Sequence, residues 1–311
     1  MTDPLAGKLV TLIGGSGFFG THIAQALLER GARLRIASRN PEKAHKLKPL
    51  ANLGQLQLVR CDVTRPDSVR AVMRGTDMAV YMVGSFSGDL EALHAKGAQM
   101  AAQAATEEGA SAFVQITAIG ADPQSDVEYA RTKGLGEQLV REAFPKATIL
   151  RPSILFGRDD EFVNMLAGLI QSFAVLPVFG PESRLQLLHV DDASDAVAAA
   201  LGDVGTHGGK TYEIGGPQAI SMMELHEMLA EAQYRQRTFV PVPDAASGLF
   251  AALPLTPMNT QQWKLLQQGS VPGGELPGID RLGINPRPIG LLLDDWMTRY
   301  RKHGRFAERV A

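Results

Sequence analysis

Residues 8–31, KLVTLIGGSGFFGTHIAQALLERG, constrain the chain more than any other stretch. Residues 8–13 are mostly aliphatic and β-branched, the pattern of a buried strand. Glycines follow at positions 14, 15, 17 and 20. Beyond them Ile23, Ala24, Leu27 and Leu28 recur at helical spacing. A strand that turns on glycine straight into a helix has a physical reading. Gly14 permits a tight turn, Gly17 lets the backbone approach a pyrophosphate, and Gly20 lets the helix pack closely on the strand. The free N–H groups of the helix start, around Ser16, Phe18 and Phe19, face the phosphates. The glycine spacing alone is a weak signal, since a connector without a ligand reads the same. The bracketing strand and helix give it weight.

The second strand, ARLRIASRN, bears on which dinucleotide is held. A site for NAD carries an acidic residue at this strand end, bonded to the ribose 2′-hydroxyl. This chain has Ser38 and Arg39 there, with Lys43 and Lys46 following. A guanidinium suits a 2′-phosphate through paired hydrogen bonds, so NADP(H) is preferred, with NAD(H) as the alternative. The plainer reading of these cations is a solvated basic loop. In GQLQLVRCDVT, Asp62 and Val63 reach the adenine edge. DMAVYMVGS ends with Val83 and Gly84 beneath the middle of the cofactor. FVQITAIG and ATILRPSILFG supply the fifth and sixth strands, the latter bringing Pro152 and Ile154 to the site. Helical segments at 89–109 and 129–144 lie between. Strand alternating with helix predicts an α/β fold, a doubly wound parallel sheet with ligand at the carboxyl strand ends. Residues 1–158 and 186–216 form the nucleotide domain. Residues 159–185 and 217–311 form a smaller mixed C-terminal lobe.

The remaining totals exclude several classes. A net charge of −2 gives no general attraction to nucleic acid. One cysteine, Cys61, excludes an internal disulfide framework and a multi-cysteine metal site, and reads as a small buried residue in a reducing compartment. No secretory signal is evident at the N-terminus. No apolar run reaches the roughly 18–20 residues of a spanning helix. The expected location is cytoplasmic, with peripheral attachment at the inner face of the plasma membrane as an extension of it. No metal is expected.

IGGSGFFG, CDV, YARTK, LRPSILFG and LLHVDDAS together resemble the extended and atypical short-chain dehydrogenase/reductases, over residues 8–216. NLGQL, FPKATILRPSILFGRDDEFVNMLA and LPGIDRLGINPRPI look like the NADPH-binding accessory subunits of respiratory complex I and their bacterial relatives. That likeness runs to about residue 294. It implies a Rossmann fold, partners among complex I subunits or in a quinone-related assembly, and a catalytic constellation at Tyr129 and Lys133. In active members the tyrosine exchanges a proton with substrate. The lysine lowers the phenol from its ordinary value of ~10 and holds the ribose hydroxyls. A serine at the preceding strand end hydrogen-bonds the reacting oxygen. Here that position falls on Ala118, with Thr117 as the neighbouring stand-in. Losing that hydrogen bond costs ~3 kcal/mol, about a hundredfold in rate. The ten residues between Ala118 and Tyr129 leave little chain for a pocket wall.

Three functions stay open. The chain is a nucleotide-holding accessory protein, an NADPH-dependent reductase or epimerase on a small organic substrate, or a redox-sensing regulator. Elsewhere, His22 reads as packed or solvent-facing, and Asp191 or Asp192 as the cap of the helix after LLHV. The apolar segments 161–180 and 247–258 read either as core or as a patch for lipid, a quinone or an apolar partner. The tail carries Arg299, Arg301, Lys302, Arg305 and Arg309, which dock on anionic headgroups or an acidic partner unless the terminus is simply solvated.

Overall fold

The computed structural model describes residues 3–253 and 258–306. Arg309 and residues 254–257 of the second apolar segment lie outside the described residues. The chain forms two compact units. The first comprises Met1–Pro152, Val190–Ile214 and Gly273–Asn285, and the second Ser153–His189, Gly215–Pro272 and Pro286–Ala311. Residues 273–285 thus return to the first unit, whereas the sequence division kept them in the C-terminal lobe. Residues 153–158, 186–189 and 215–216 fall in the second.

In the first unit seven parallel strands make one sheet. Six are β1 (Leu9–Ile13), β2 (Arg33–Ser38), β3 (Leu56–Arg60), β4 (Met78–Tyr81), β5 (Ala112–Ile116) and β6 (Thr148–Pro152). The seventh, Thr211–Ile214, was not singled out in the sequence. From that strand the order runs β6, β5, β4, β1, β2, β3. The order reverses beside β1, between β2 and β4, which is where ligands enter sheets of this kind. Helices α1 (Phe18–Glu29), α2 (Pro66–Met73), α3 (Gly97–Glu107) and α4 (Glu128–Ala143) form the crossovers. One core cluster joins Ile13, Tyr81 and Phe113 to an alanine face of α3 made by Ala98, Ala101, Ala102 and Ala105. Small side chains there let the helix lie close on the sheet.

Two details differ from the expected helices and strands. The helical stretch before α3 opens with a π-helical turn, Ala92–Lys96. The sixth strand ends at Pro152 instead of running on to Gly157. Proline has no N–H to continue a ladder. Leu155–Phe156 then pairs with Leu188–His189 in the second unit.

In the second unit α5 (Phe162–Ser172) buries Val163, Leu166, Ala167 and Ile170, spaced as one helical face. They pack with Phe156, Leu225, Leu229 and Trp296. The other face exposes Met165 (40%), Leu169 (38%) and, just past the helix, Phe173 (55%). Core and surface readings of segment 161–180 therefore each claim one side of α5. Strands Val175–Phe179 and Thr238–Val242 pair in parallel beside it. Among the described residues no helix is long and apolar enough to cross a membrane.

Candidate functional site

At the carboxyl ends of β1, β2 and β4 the first unit holds a cavity of about 470 Å³. Gly14, Ser16, Gly17, Phe18, Phe19 and Gly20 line it from the β1–α1 turn. Ser38 and Arg39 line it from the end of β2, Val63 from beyond β3, and Val83 and Gly84 from beyond β4. Lys43 and Cys61 also reach it, as do Asn40, Met82, Ser85 and Leu93, which the sequence did not single out.

The cradle is built from backbone. Gly14 sits at φ +89°, open to glycine and strained for other residues. A Cβ on Gly20 would come within 2.5 Å of Gly15 Cα, so only glycine lets α1 start this close. A Cβ on Gly17 meets only Gly14 O, at 4.0 Å. Gly17 is the N-cap of α1 and offers no side-chain cap, and no acid stands in the first turn. The first N–H groups of a helix lack intrahelical acceptors and attract anions. Ser38 Oγ, on the same cavity, is buried without a hydrogen-bond partner. An open phosphate cradle, an orphaned hydroxyl and basic Arg39 and Lys43 fit a dinucleotide. Asp62, beyond β3, makes a local turn. Its carboxylate accepts the Thr64 N–H (3.0 Å) and hydroxyl (2.8 Å), contacts that hold its pKa below the usual carboxylate value.

Tyr129 and Lys133 adjoin the Gly84 end of the cavity. From the position of a Cβ on Gly84, Lys133 Nζ is 3.8 Å and Tyr129 Oη 4.0 Å away. Lys133 Nζ donates to Val83 O (2.9 Å) and Ile116 O (3.3 Å), and lies 5.7 Å from the Tyr129 ring centroid. Burial lowers Lys133 to about 8, with Glu137 opposing the shift, and pushes the Tyr129 phenol up to about 12. Phe86 stacks on Tyr129 at 4.5 Å.

Thr117 corrects the sequence expectation. Its hydroxyl lies 2.7 Å from Glu137 Oε1 and 3.5 Å from Leu150 O, inside the fold. Thr117 thus donates its hydrogen bond to that buried carboxylate, where the resemblance implies a hydroxyl directed at substrate. Ala118 offers no hydroxyl either. The short connection 119–128 is spent on α4: Asp122 N donates to Ala130 O at 3.2 Å, and Asp122 and Pro123 fill the space where Gly134 would carry a Cβ. Pro152 is buried and accepts the Ile119 N–H through its carbonyl at 3.2 Å. Ile154 packs on the core of the second unit.

His94 is another residue that the sequence does not single out. A single histidine in LEALHAKG carries no signal, and the π-helical turn that places it is not legible there. Its Nε2 accepts the Ser85 N–H at 3.1 Å, so the proton sits on Nδ1, which donates to Thr132 Oγ1 at 2.9 Å. The ring meets Tyr129 edge-on at 5.2 Å. Burial, then the nearby Lys133 charge, lowers its pKa to about 3, leaving it neutral.

Away from the cavity, His22 Nδ1 lies 2.6 Å from Asp191 Oδ1. Asp191 and Asp192 both occupy the first turn of α6 (Val190–Gly202). Among the described residues no acidic, histidine or cysteine group is arranged to hold a metal.

Known proteins resemble this arrangement. The NAD(P)H-binding family model matches residues 14–167. The chain is similar to the mitochondrial NADH dehydrogenase [ubiquinone] 1 alpha subcomplex subunit 9 of Arabidopsis thaliana, 29% identical over 80% of this chain and 63% of that protein, less than two thirds of its length. It is 28% identical to the NADH-ubiquinone oxidoreductase 40 kDa subunit of Neurospora crassa, over 96% of this chain and 81% of that one. It is 30% identical to a ceramide reductase of Caulobacter vibrioides, over 62% of this chain and 61% of that protein. The crystal structure of a Citrobacter triphenylmethane reductase complexed with NADP(H) shares the fold, with a TM-score of 0.74 at 17% identity over 92% and 99% of the two chains. The sheet order, the glycine cradle and these matches together show a Rossmann-type fold, similar to that of NAD(P)-binding proteins of the extended short-chain dehydrogenase/reductase type.

Proposed function

We propose that the chain is an NADP(H)-holding accessory or assembly protein, linked to complex I or to quinone metabolism, with weak or no turnover. One contrast carries the reading: the phosphate cradle is complete, while the strand end before Tyr129 offers substrate no hydroxyl. Ala118 has none, and that of Thr117 is given to Glu137. Gly14 to Gly20 hold the pyrophosphate. Ser38, Arg39 and Lys43 meet the 2′-phosphate, and Lys133 and Tyr129 the nicotinamide ribose. When bound, the nicotinamide supplies a hydride. This chain supplies grip and orientation. The names of the Arabidopsis and Neurospora relatives support a complex I-type partner. The exposed stripe of Met165, Leu169 and Phe173 supports peripheral contact with a membrane surface.

The cofactor preference is tested by calorimetry. NADPH should bind at least about tenfold tighter than NADH, a difference of ~1.4 kcal/mol, and Arg39→Asp should erase or reverse it. Equal affinities in the native protein would remove Arg39 from this role.

The second reading is an active NADPH-dependent reductase, dehydrogenase or epimerase on a quinone-related, sugar-nucleotide or other small organic substrate. The Tyr129–Lys133 pair beside Gly84 favours it, as does the likeness to a ceramide reductase. A carbonyl-substrate screen separates the two. The native protein should turn over below ~1 s⁻¹, the low end of ordinary enzymes. Ala118→Ser should raise any rate by up to about a hundredfold. Faster native turnover that disappears in Tyr129→Phe would establish the reductase instead.

A further inference from the structure

Beneath the Tyr129–Lys133 pair lies a group of buried charges that cofactor binding does not itself require. α4 carries Tyr129, Lys133 and Glu137 four residues apart, on one face. Lys133 and Glu137 hold consecutive residues at the end of β5. Lys133 Nζ donates to Ile116 O, and Glu137 Oε1 accepts from Thr117 Oγ1. Arg151 closes on Glu137 with two donors, Nε to Oε1 at 2.9 Å and Nη2 to Oε2 at 2.7 Å. Its remaining nitrogen, Nη1, lies 3.5 Å from Glu213 Oε1. The side chains of Glu137, Glu213 and Arg151 are only 8%, 11% and 19% exposed. Two carboxylates face one guanidinium. With Lys133 as an ammonium the group is neutral. With Lys133 uncharged, it keeps one uncompensated negative charge out of water, which is costly.

We propose that Glu137 is a positioning residue: anchored by Arg151, it supplies the counter-charge that keeps Lys133 an ammonium, aimed at the Gly84 wall of the cleft. The lysine's other contacts agree, since the carbonyls of Val83 and Ile116 only accept. The consequence for ribose binding rests on the nicotinamide reading above. Of the other groups facing Lys133, His94 from the π-helical turn stays neutral and Tyr129 on α4 keeps its proton through the neutral range. Arg151 on β6 and Glu213 on the seventh strand face each other at 3.5 Å. Burial brings Lys133 to about 8 against the pull of Glu137. Glu137→Gln, nearly isosteric, leaves the two cations with one carboxylate and favours the neutral lysine.

The test follows Lys133 directly, by NMR of protein carrying ¹³C-labelled lysine, with the signal assigned through Lys133→Arg. The native midpoint should lie near 8. Glu137→Gln should lower it by about one pH unit or more, and Glu213→Gln, acting through Arg151, by less. Glu137→Asp should restore most of the native value. Should Glu137→Gln fail to fold, the Glu213→Gln and Glu137→Asp midpoints decide. Midpoints equal to the native one in Glu137→Gln and Glu213→Gln, or a native Lys133 already neutral at pH 7, would overturn the proposal. NADPH affinity measured in parallel should weaken as pH rises through each variant's own midpoint. If the lysine shifts as expected and native protein binds no dinucleotide, the cofactor reading fails and the counter-charge stands.

Discussion

Gly17→Val should fold normally and bind dinucleotide at least about a hundredfold more weakly, a loss of ~2.7 kcal/mol. The expectation rests on an asymmetry between protein and ligand at this position. A Cβ on Gly17 meets nothing of the protein closer than Gly14 O at 4.0 Å, and the backbone there is extended, at φ −81° and ψ −175°. Valine tolerates both. Yet Gly17 lines the cavity at the uncapped start of α1, so the branched side chain stands where phosphate oxygens must approach the N–H groups. Melting in buffer should match the native protein within a degree or two. The rise in melting temperature that NADPH gives the native protein should vanish, since it scales with occupancy. A folded variant with native NADPH affinity would mean that the phosphates are held elsewhere. Gly20→Ala cannot replace this test, because its clash with Gly15 would confuse loss of binding with loss of the fold.

Gly136→Ala should destabilise the protein by about 3 kcal/mol, the upper part of the range for overpacking a tight interior. Helix propensity argues the other way, because alanine in mid-helix gains up to ~1 kcal/mol over glycine. Space decides between them. The added methyl would lie 2.3 Å from His94 O and 3.2 Å from Gln115 Nε2. The first is a backbone atom of the π-helical turn and cannot swing away as a side chain can. α4 would have to lift from that turn, loosening the edge contact of His94 with Tyr129 and the His94–Ser85 hydrogen bond. Urea denaturation gives the measurement. An unchanged or raised midpoint would mean that the two segments separate at little cost.

Sequence legibility followed local chemistry. The β1–α1 turn could be read because glycine's freedom and the strand–helix alternation are both written in consecutive residues. Ser38 and Arg39 followed from their place at a strand end, and both reach the cavity. The direction of the Thr117 hydroxyl is not legible, because its partner is Glu137, twenty residues on, and no local pattern says which way a hydroxyl turns at a strand end. His94 was missed for a related reason. A π-helical turn adds a residue to a helix without a compositional mark, and this one rotates an imidazole inward to Ser85 and Thr132. Asp62 stands where expected in the chain but accepts from Thr64, two residues on, a local turn that competes with any ligand. The apolar stretch 161–180 could not be assigned to core or surface, because Met165 and Leu169 on the exposed face of α5 are as apolar as Leu166 and Ile170 on the buried one.

The interleaving of the two units governs when the protein can first work as it leaves the ribosome. The chain passes between units after residues 152, 189, 214, 272 and 285. The glycine cradle is synthesised before β6, which remains an open sheet edge until Thr211–Ile214 emerges to pair with it. Residues 273–285 come later still. Gly273 N–H must reach Glu213 Oε2, and Glu213 N–H the Pro277 carbonyl, before that edge is closed off. Domains commonly fold as units, N-terminal first, during synthesis. This first unit cannot finish until two of the three segments of the second unit have been translated. A nascent chain stalled anywhere between residues 153 and 210 presents β6, paired only with β5, as a sheet edge of the kind that recruits other chains. Protection of that edge while residues 153–210 are made is thus a task for chaperones, or for early pairing within the chain.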